Sequence, residues 1–344
     1  MATTIKTIAK ITGVSHSTVS RALRGSPLVA DVTAERIRIA AEQLDYLPSA
    51  AARSLKTKRT HVLGVILSGI ADPFFSEVLN GIEGAAHAAG YSLFIGSSNH
   101  DADKEARIVQ TMLEQRIDGG IICSTPVSIE RWRQFPTDRF PIVVINNQAA
   151  DHYNFSIYHD DIDGSRQLAR HLIELGHRKI AYLGNSHSGK TTLDRLSGLQ
   201  EEMEFQGLSV APDQIHHAPG GSLQMGAEGM NYFLNLPHPP TAVMCFNDLL
   251  AIGALKACRQ AGVRVPDEIS VTGFDNIAFS EFSVPPLTTL DQPKYEIGRQ
   301  AAQLLLSLLS EESGLHSHTQ GVKVLKGRLL VRATTAKPRK KETL

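Results

Sequence analysis

The chain has 344 residues, 35 Lys+Arg balanced by 35 Asp+Glu, and is 42% hydrophobic and 20% charged. Such usage is ordinary for globular proteins and excludes a disordered chain, a collagen-like repeat or a coiled-coil rod. The longest apolar runs, residues 62–67 and 301–309, fall short of the roughly 18–20 residues of a membrane span.

The neutral total hides an asymmetry. Residues 1–60 hold ten Lys/Arg against four Asp/Glu, whereas the remainder holds 25 against 31. A basic head on an acidic body suits a molecule whose head alone approaches a polyanion. The first residues lack the apolar core of a signal peptide. Cys123, Cys245 and Cys258 are widely spaced and form no CxxC, so neither a disulfide framework nor a metal site is expected. These features suggest a reducing, cytoplasmic setting, with no cofactor and no membrane.

In residues 4–12, Ile5, Ile8, Ala9 and Ile11 recur at helical spacing and Thr4 or Thr7 can cap. Gly13 breaks this helix. Ser15 can cap a second one over 17–23, with Val19, Ala22 and Leu23 on one face. Asp31 or Thr33 opens a third helix over 34–44, with Ile37, Ala40, Ala41 and Leu44 inward. Helix, short Gly-containing turn, helix is the helix-turn-helix plan. The outer face of the second helix carries His16, Ser17, Thr18, Ser20 and Arg21. These are short hydrogen-bonding groups plus one guanidinium, a set suited to base edges and phosphates in a major groove. The same pattern also fits a small polar helix with no ligand.

Residues 48–55, Pro48-Ser49-Ala50-Ala51-Ala52-Arg53-Ser54-Leu55, read as a short Ala-rich helix before a basic linker at 56–60. A helix this short is marginal alone in water and needs a partner. Leu55 beside Arg53 would suit an apolar wedge between base steps of a minor groove.

From His61 onward, apolar strands alternate with amphipathic helices. Strands are expected at 62–67, 91–95, 120–123, 142–145, 180–183, 242–246 and 269–274. Helices are expected at 75–89, 104–115, 164–175, 193–206, 225–234 and 249–261. Continuous apolar strands separated by helices predict parallel sheets covered on both faces, here in two doubly wound lobes. Ligands of such sheets bind beyond the carboxyl ends of the strands, and a cleft between two lobes can close on a small molecule.

The run 7–23, from Thr7-Ile8-Ala9-Lys10 through Gly13-Val14-Ser15-His16-Ser17-Thr18-Val19-Ser20-Arg21, resembles the head of the lactose/galactose-repressor family of transcriptional regulators. Tyr46-Leu47-Pro48-Ser49-Ala50-Ala51-Ala52-Arg53-Ser54-Leu55 resembles its hinge helix. The likeness continues through Asp72-Pro73-Phe74-Phe75, Leu175-Gly176-His177-Arg178, Phe246-Asn247-Asp248-Leu249, Val271-Thr272-Gly273-Phe274-Asp275 and Gln292-Pro293, covering about residues 5–335.

The resemblance implies a helix-turn-helix domain over 1–47, a hinge helix and linker over 48–60, and an effector-binding, dimerising core over 61–336 like periplasmic sugar-binding proteins. Residues 337–344 read as a basic tail. Lobe one would comprise about 61–159 and 291–320, and lobe two about 162–288 and 323–336, with crossings near 159–162, 288–291 and 320–323. The resemblance also implies a homodimer on near-palindromic operator DNA. Thr7, Ser15, His16, Ser17, Thr18, Ser20 and Arg21 would face the major groove, with Arg21 on a guanine. Ala52 and Leu55 would be the minor-groove pair, with Leu55 wedging the central step, and Ser49 and Arg53 would also bind DNA. In the cleft, Phe74 would stack on an apolar ring face. Arg195, Asn247, Asp275 and Asn146 (or Asn147 beside it) would hold the hydroxyls of a carbohydrate-like effector. Asn247 and Asp248 could equally cap the helix that follows them.

One motif points elsewhere. Gly184-Asn185-Ser186-His187-Ser188-Gly189-Lys190-Thr191 matches the phosphate-cradling GxxxxGK[ST] loop, which alone would suggest a nucleotide-binding protein. A solute receptor without a DNA role would share the two lobes but would not need the first sixty residues. No catalytic constellation such as GxSxG or HExxH occurs, and an enzyme is not expected.

Overall fold

The computed structural model describes residues 4–46, 59–124, 140–146, 155–310 and 321–339. Two compact units divide at Thr60 and His61.

The first unit holds three helices, α1 (Ile5–Thr12), α2 (His16–Ala22) and α3 (Asp31–Gln43). Thr4 caps α1 by accepting from Thr7 N–H, and Gly13 ends it in the left-handed region at φ 66°. There a side chain would be strained. Ser15 caps α2, its Oγ accepting from Thr18 N–H at 3.1 Å. Ile8, Val19, Ala22, Val29, Ala34, Ile37, Ala40 and Ala41 form the core. The hinge helix expected over 48–55 lies outside the described residues, and Ser49, Ala52, Arg53 and Leu55 with it.

The second unit contains two parallel sheets. Lobe one is built on β1 (Val62–Leu67), β2 (Ser92–Ser97), β3 (Gly119–Cys123), β4 (Ile142–Ile145), β5 (Phe155–His159) and β11 (Gly321–Leu325) in the order β11-β5-β4-β3-β1-β2. Lobe two is built on β6 (Ile180–Asn185), β7 (Ile215–Ala218), β8 (Ala242–Cys245) and β9 (Ser270–Thr272) in the order β7-β6-β8-β9. α4 (Phe74–Ala88), α5 (Ala102–Glu114) and α11 (Lys294–Ser310) belong to lobe one. α6 (Asp161–Glu174), α7 (Lys190–Phe205), α8 (Leu223–Leu234), α9 (Asp248–Gln260) and the short α10 (Phe279–Phe282) belong to lobe two.

α11, absent from the sequence expectations, packs on α4 at backbone contact. A Cβ on Gly298 would fall 2.0 Å from Val78 O, and one on Gly81 would fall 2.0 Å from Tyr295 O. Only glycine permits that approach from both sides.

The chain passes between lobes three times. It leaves β5 at His159 and enters α6 at Asp161; it returns through β10 (Thr289–Asp291); and it crosses again at Lys326-Gly327 into β12 (Arg328–Leu330), which pairs antiparallel with β10. The third crossing therefore lies later than the expected 320–323. Residues 321–325 form β11, which pairs parallel with β5 in register Gly321↔Phe155 to Leu325↔His159 and so belongs to lobe one.

Candidate effector cavity and DNA-facing helix

In the first unit, α2 buries Val19 and Ala22 and turns His16, Ser17 and Arg21 to solvent. Thr7 and Ser15 are also exposed; Thr18 and Ser20 are half-buried. Ser15 Oγ lies 2.7 Å from Ser17 Oγ and 2.8 Å from Thr18 Oγ1, so the cap also orders the two hydroxyls at the start of the helix. Arg24 Nε is bonded to Ser20 O at 2.9 Å, which sets it apart from Arg21 on the next face. The result is a rigid helix presenting imidazole, hydroxyl and guanidinium groups side by side, a surface able to read base edges.

In the second unit, a cavity of about 920 Å³ is lined by residues of both lobes. Phe74, Asn146, Arg195, Asn247 and Asp275 all line it; Asn147 lies outside the described residues. The fold places them at the carboxyl ends of strands or at helix starts. Asn146 follows β4, Asn247 follows β8, Asp275 lies three residues beyond β9, and Phe74 begins α4.

Arg195, on α7, is the buried cation of this cavity. Its Nε donates to Asp161 Oδ1 at 3.0 Å and its Nη1 donates to the Phe246 carbonyl. Nη1 also lies 3.6 Å from Asp275 Oδ1. The guanidinium carbon sits 3.7 Å from the Phe274 ring centroid and 4.4 Å from that of Phe246, between two π faces. Burial disfavours its charge, but Asp161 and Asp275 hold its pKa above the usual arginine value. Burial likewise pushes Asp275 well above the ordinary carboxylate range, against the pull of Arg195.

Asn247 has two roles. Its Oδ1 caps α9 by accepting from Leu250 N–H at 2.9 Å, while its Nδ2 donates to Gly221 O at 3.1 Å. The capping alternative thus holds for Asn247, which lines the cavity at the same time. Asp248, one residue on, is buried beneath; its carboxylate accepts from Ile277 N–H, Ser280 and Thr289. Asn146 has φ 49° and its Oδ1 accepts weakly from His159 N–H at 3.4 Å.

Among the lining residues that the sequence reading did not name as effector-binding are Asp72, His100, His187 and Gln292. Asp72 and Gln292 lie inside motifs that carry the family resemblance, which was the available signal. His100 and His187 face each other from the two lobes, ring centroids 6.3 Å apart, with no sequence signal to pair them.

The GxxxxGK[ST] stretch does follow β6 and open α7. Gly184 and Asn185 are still strand, Ser186–Ser188 form one 3-10 turn, and Gly189 precedes the helix. Lys190 Nζ is bonded to Asp194 at 2.6 Å, one turn along its own helix, rather than held over the loop. No group of three or more His, Cys, Asp or Glu able to hold a metal occurs among the described residues. No described helix is long and apolar enough to cross a membrane.

A helix-turn-helix unit followed by a two-lobed ligand-binding body defines a ligand-responsive transcription regulator. The comparisons give the family. Residues 4–49 match the model for bacterial regulatory proteins of the lacI family, and residues 169–335 match that for the periplasmic binding protein-like domain. The transcriptional repressor CytR of Escherichia coli K12 is 34% identical over 338 residues, covering 97% of this chain and 96% of the relative. The repressor PurR of Aliivibrio salmonicida is 32% identical over 310 residues, covering 90% and 93%. A crystal structure of the lac repressor dimer bound to operator and the anti-inducer ONPF superposes with TM-score 0.87 at 27% identity, covering 98% of this chain and all of that one. The complex of the regulator CelR with cellobiose gives 0.73 at 25% identity, covering 96% and 99%. The chain belongs to the LacI family: it is a DNA-binding, effector-controlled transcriptional repressor and not an enzyme.

Proposed function

We propose that the protein acts as a homodimer on a near-palindromic operator, with the two α2 helices reading two half-sites in the major groove. His16, Ser17 and Arg21 select bases, and Thr7, Ser15, Thr18 and Ser20 fix the register on phosphates. Ser49, Ala52, Arg53 and Leu55 occupy the minor groove at the centre of the site, with Leu55 as wedge. A carbohydrate or carbohydrate derivative sits among Phe74, Asn146, Arg195, Asn247 and Asp275. It shifts the lobe angle and with it the population competent to bind DNA. The protein works in the cytoplasm, on the nucleoid.

The observation that carries this reading is the pairing of a cavity walled by both lobes with a polar, exposed recognition helix on the same chain. The operator-bound lac repressor dimer and the cellobiose complex of CelR support the dimer and the ligand class. Selection from randomised duplexes by the full chain tests it. Enrichment of a two-fold symmetric sequence is expected, and a chain lacking residues 1–60 should enrich nothing. Equal enrichment by both would overturn the proposal.

A further inference from the structure

Beyond β12 the chain runs back over lobe two as residues 331–336, a segment with neither helix nor strand. It lies along β9, the last strand of the second sheet. Val271 N–H of β9 donates to Thr334 O at 2.9 Å, and Ala336 N–H donates to Ser270 Oγ at 3.1 Å. The segment is also tied to the second crossing, where Thr288 N–H donates to Thr334 Oγ1 at 2.9 Å. These bonds cover a strand edge that would otherwise be open to pairing.

One imidazole fastens the far end. His177, just past α6, is 1% exposed. Its Nε2 lies 2.9 Å from Ala336 O, and its Nδ1 lies 2.9 Å from Thr241 Oγ1. A carbonyl oxygen only accepts, so Nε2 carries the proton, and Nδ1 of the neutral ring accepts from the Thr241 hydroxyl. The neutral ring thus joins the C-terminal segment to the residue before β8.

A second proton would place a full charge where nothing balances it. Arg178 Nη1, on the same turn, donates to the carbonyls of His177 and Ile173 at 3.1 Å. Lys179 Nζ is turned away to His238 O. On α6, His171 opposes charge on His177, and Glu174 acts on His171. Lys337 follows on the C-terminal segment itself. No carboxylate bonds the His177 ring among the described residues. Burial holds its pKa below the ordinary imidazole value of 6.5, the Ala336 carbonyl offsetting this only in part. The bonded state therefore disfavours the proton, so its stability is complete above 6.5 and is lost as pH falls below it. Of the parts around the ring, the segment 334–336 can lift without breaking a helix or sheet of the core, and lifting it opens the imidazole to water.

We propose that His177 is an acid-released clasp for the C-terminal segment: neutral, it keeps residues 334–336 on the edge of lobe two, and protonated, it lets them go. The clasp lies outside the cavity and the DNA-facing helix, and it goes beyond the function proposed above without depending on it.

The test is hydrogen exchange of the full chain, read by mass spectrometry, with protection taken relative to the intrinsic rate at each pH. Protection of the peptide covering residues 331–339 should fall about three- to tenfold between about pH 7.5 and 5.5, the upper end being the limit for one imidazole that becomes ordinary on release. Protection of β6 should hold over the same range. His177→Gln keeps a donor for Ala336 O and an acceptor for Thr241 and does not titrate, so its C-terminal protection should stay level. His171 Nε2 lies 3.0 Å from Thr335 Oγ1, so His171→Gln is the control and should keep the parental fall. A level parental profile, an equal fall in β6, or a fall that survives in His177→Gln or vanishes in His171→Gln would each overturn the proposal. If His177→Gln does not fold, exchange at the imidazole C2 position of the parent decides. His177 should be mostly neutral at pH 6.5, and a ring already half protonated there would overturn the clasp.

Discussion

Arg195 Nε donates to Asp161 Oδ1 at 3.0 Å, and both side chains are buried. Asp161 begins α6 just past the first crossing, and its Oδ1 also lies 3.2 Å from His159 Nδ1, at the end of β5. The cavity's cation is thus anchored to the segment that joins the two lobes. Asp161→Ala would leave Arg195 buried with only the longer contact to Asp275 as counter-charge. The expected loss is about 3–5 kcal/mol in urea unfolding, with Asp161→Asn milder because its amide oxygen still accepts. Equal stability of Asp161→Ala and parent would remove the anchor from the account. Burial alone would raise the Asp161 pKa, but Arg195 and His159 bring it below the usual carboxylate value. Its contribution is therefore present above the unfolded carboxylate pKa and is lost only as pH falls through the lower folded value.

Asp248 behaves in the opposite sense. Burial raises its pKa from 3.8 to about 6, although Ser280, Thr289 and Ile277 N–H bond its charged form. The folded state holds this proton more tightly, so the associated stability is complete below the unfolded value and disappears as pH rises through about 6. Asp248→Asn can keep the three bonds, with its Nδ2 donating to the Thr289 hydroxyl, and carries no such titration. Between about pH 4 and 7, the parent should lose stability relative to Asp248→Asn. A constant difference across that range would contradict the assignment.

Gly327 lets the third crossing pass against the other two. A Cβ there would fall 2.6 Å from Asp291 O and 2.7 Å from His159 Nε2. Gly327→Ala should cost about 1–3 kcal/mol by overpacking, measured as a drop in urea midpoint. An unchanged midpoint would show that the crossings have slack.

On DNA, Arg21→Ala should relax base preference at one position per half-site, losing about 1–3 kcal/mol of discrimination there. Uniform weakening across sequences would assign Arg21 to a phosphate instead. Leu55→Ala should impair operator binding more than non-specific binding, since a wedge contributes only where the duplex is kinked. Competition titrations with operator and random duplexes measure both effects.

Much of this architecture was legible in the sequence because local signals agreed with the fold. Ser15, Gly13 and the apolar positions of α1–α3 specify the head almost unaided, and the apolar strands 62–67, 142–145 and 180–183 specify the sheets. What escaped depends on contacts distant in sequence. β11 joins lobe one through its pairing with β5, and residues 321–325 are a short run, Gly-Val-Lys-Val-Leu, whose three middle residues stay exposed, so burial marks no inward face. α11 was missed although Ile297, Ala301, Ala302 and Leu305 recur at helical spacing; only its packing on α4, some two hundred residues earlier, depends on the fold. In the cavity, the motif-borne residues Phe74, Arg195, Asn247 and Asp275 could be named in advance. The meeting of His100 and His187 could not, since it exists only once two lobes face each other.

The most direct test of ligand-gated DNA binding is a reciprocal titration on the full-length chain, with the selected operator and a ligand found by calorimetry. Operator Kd is measured with and without saturating ligand, and ligand Kd with and without saturating operator. The account predicts that both ratios depart from one by the same factor, as linkage requires. An operator Kd that stays unchanged at saturating ligand would contradict it.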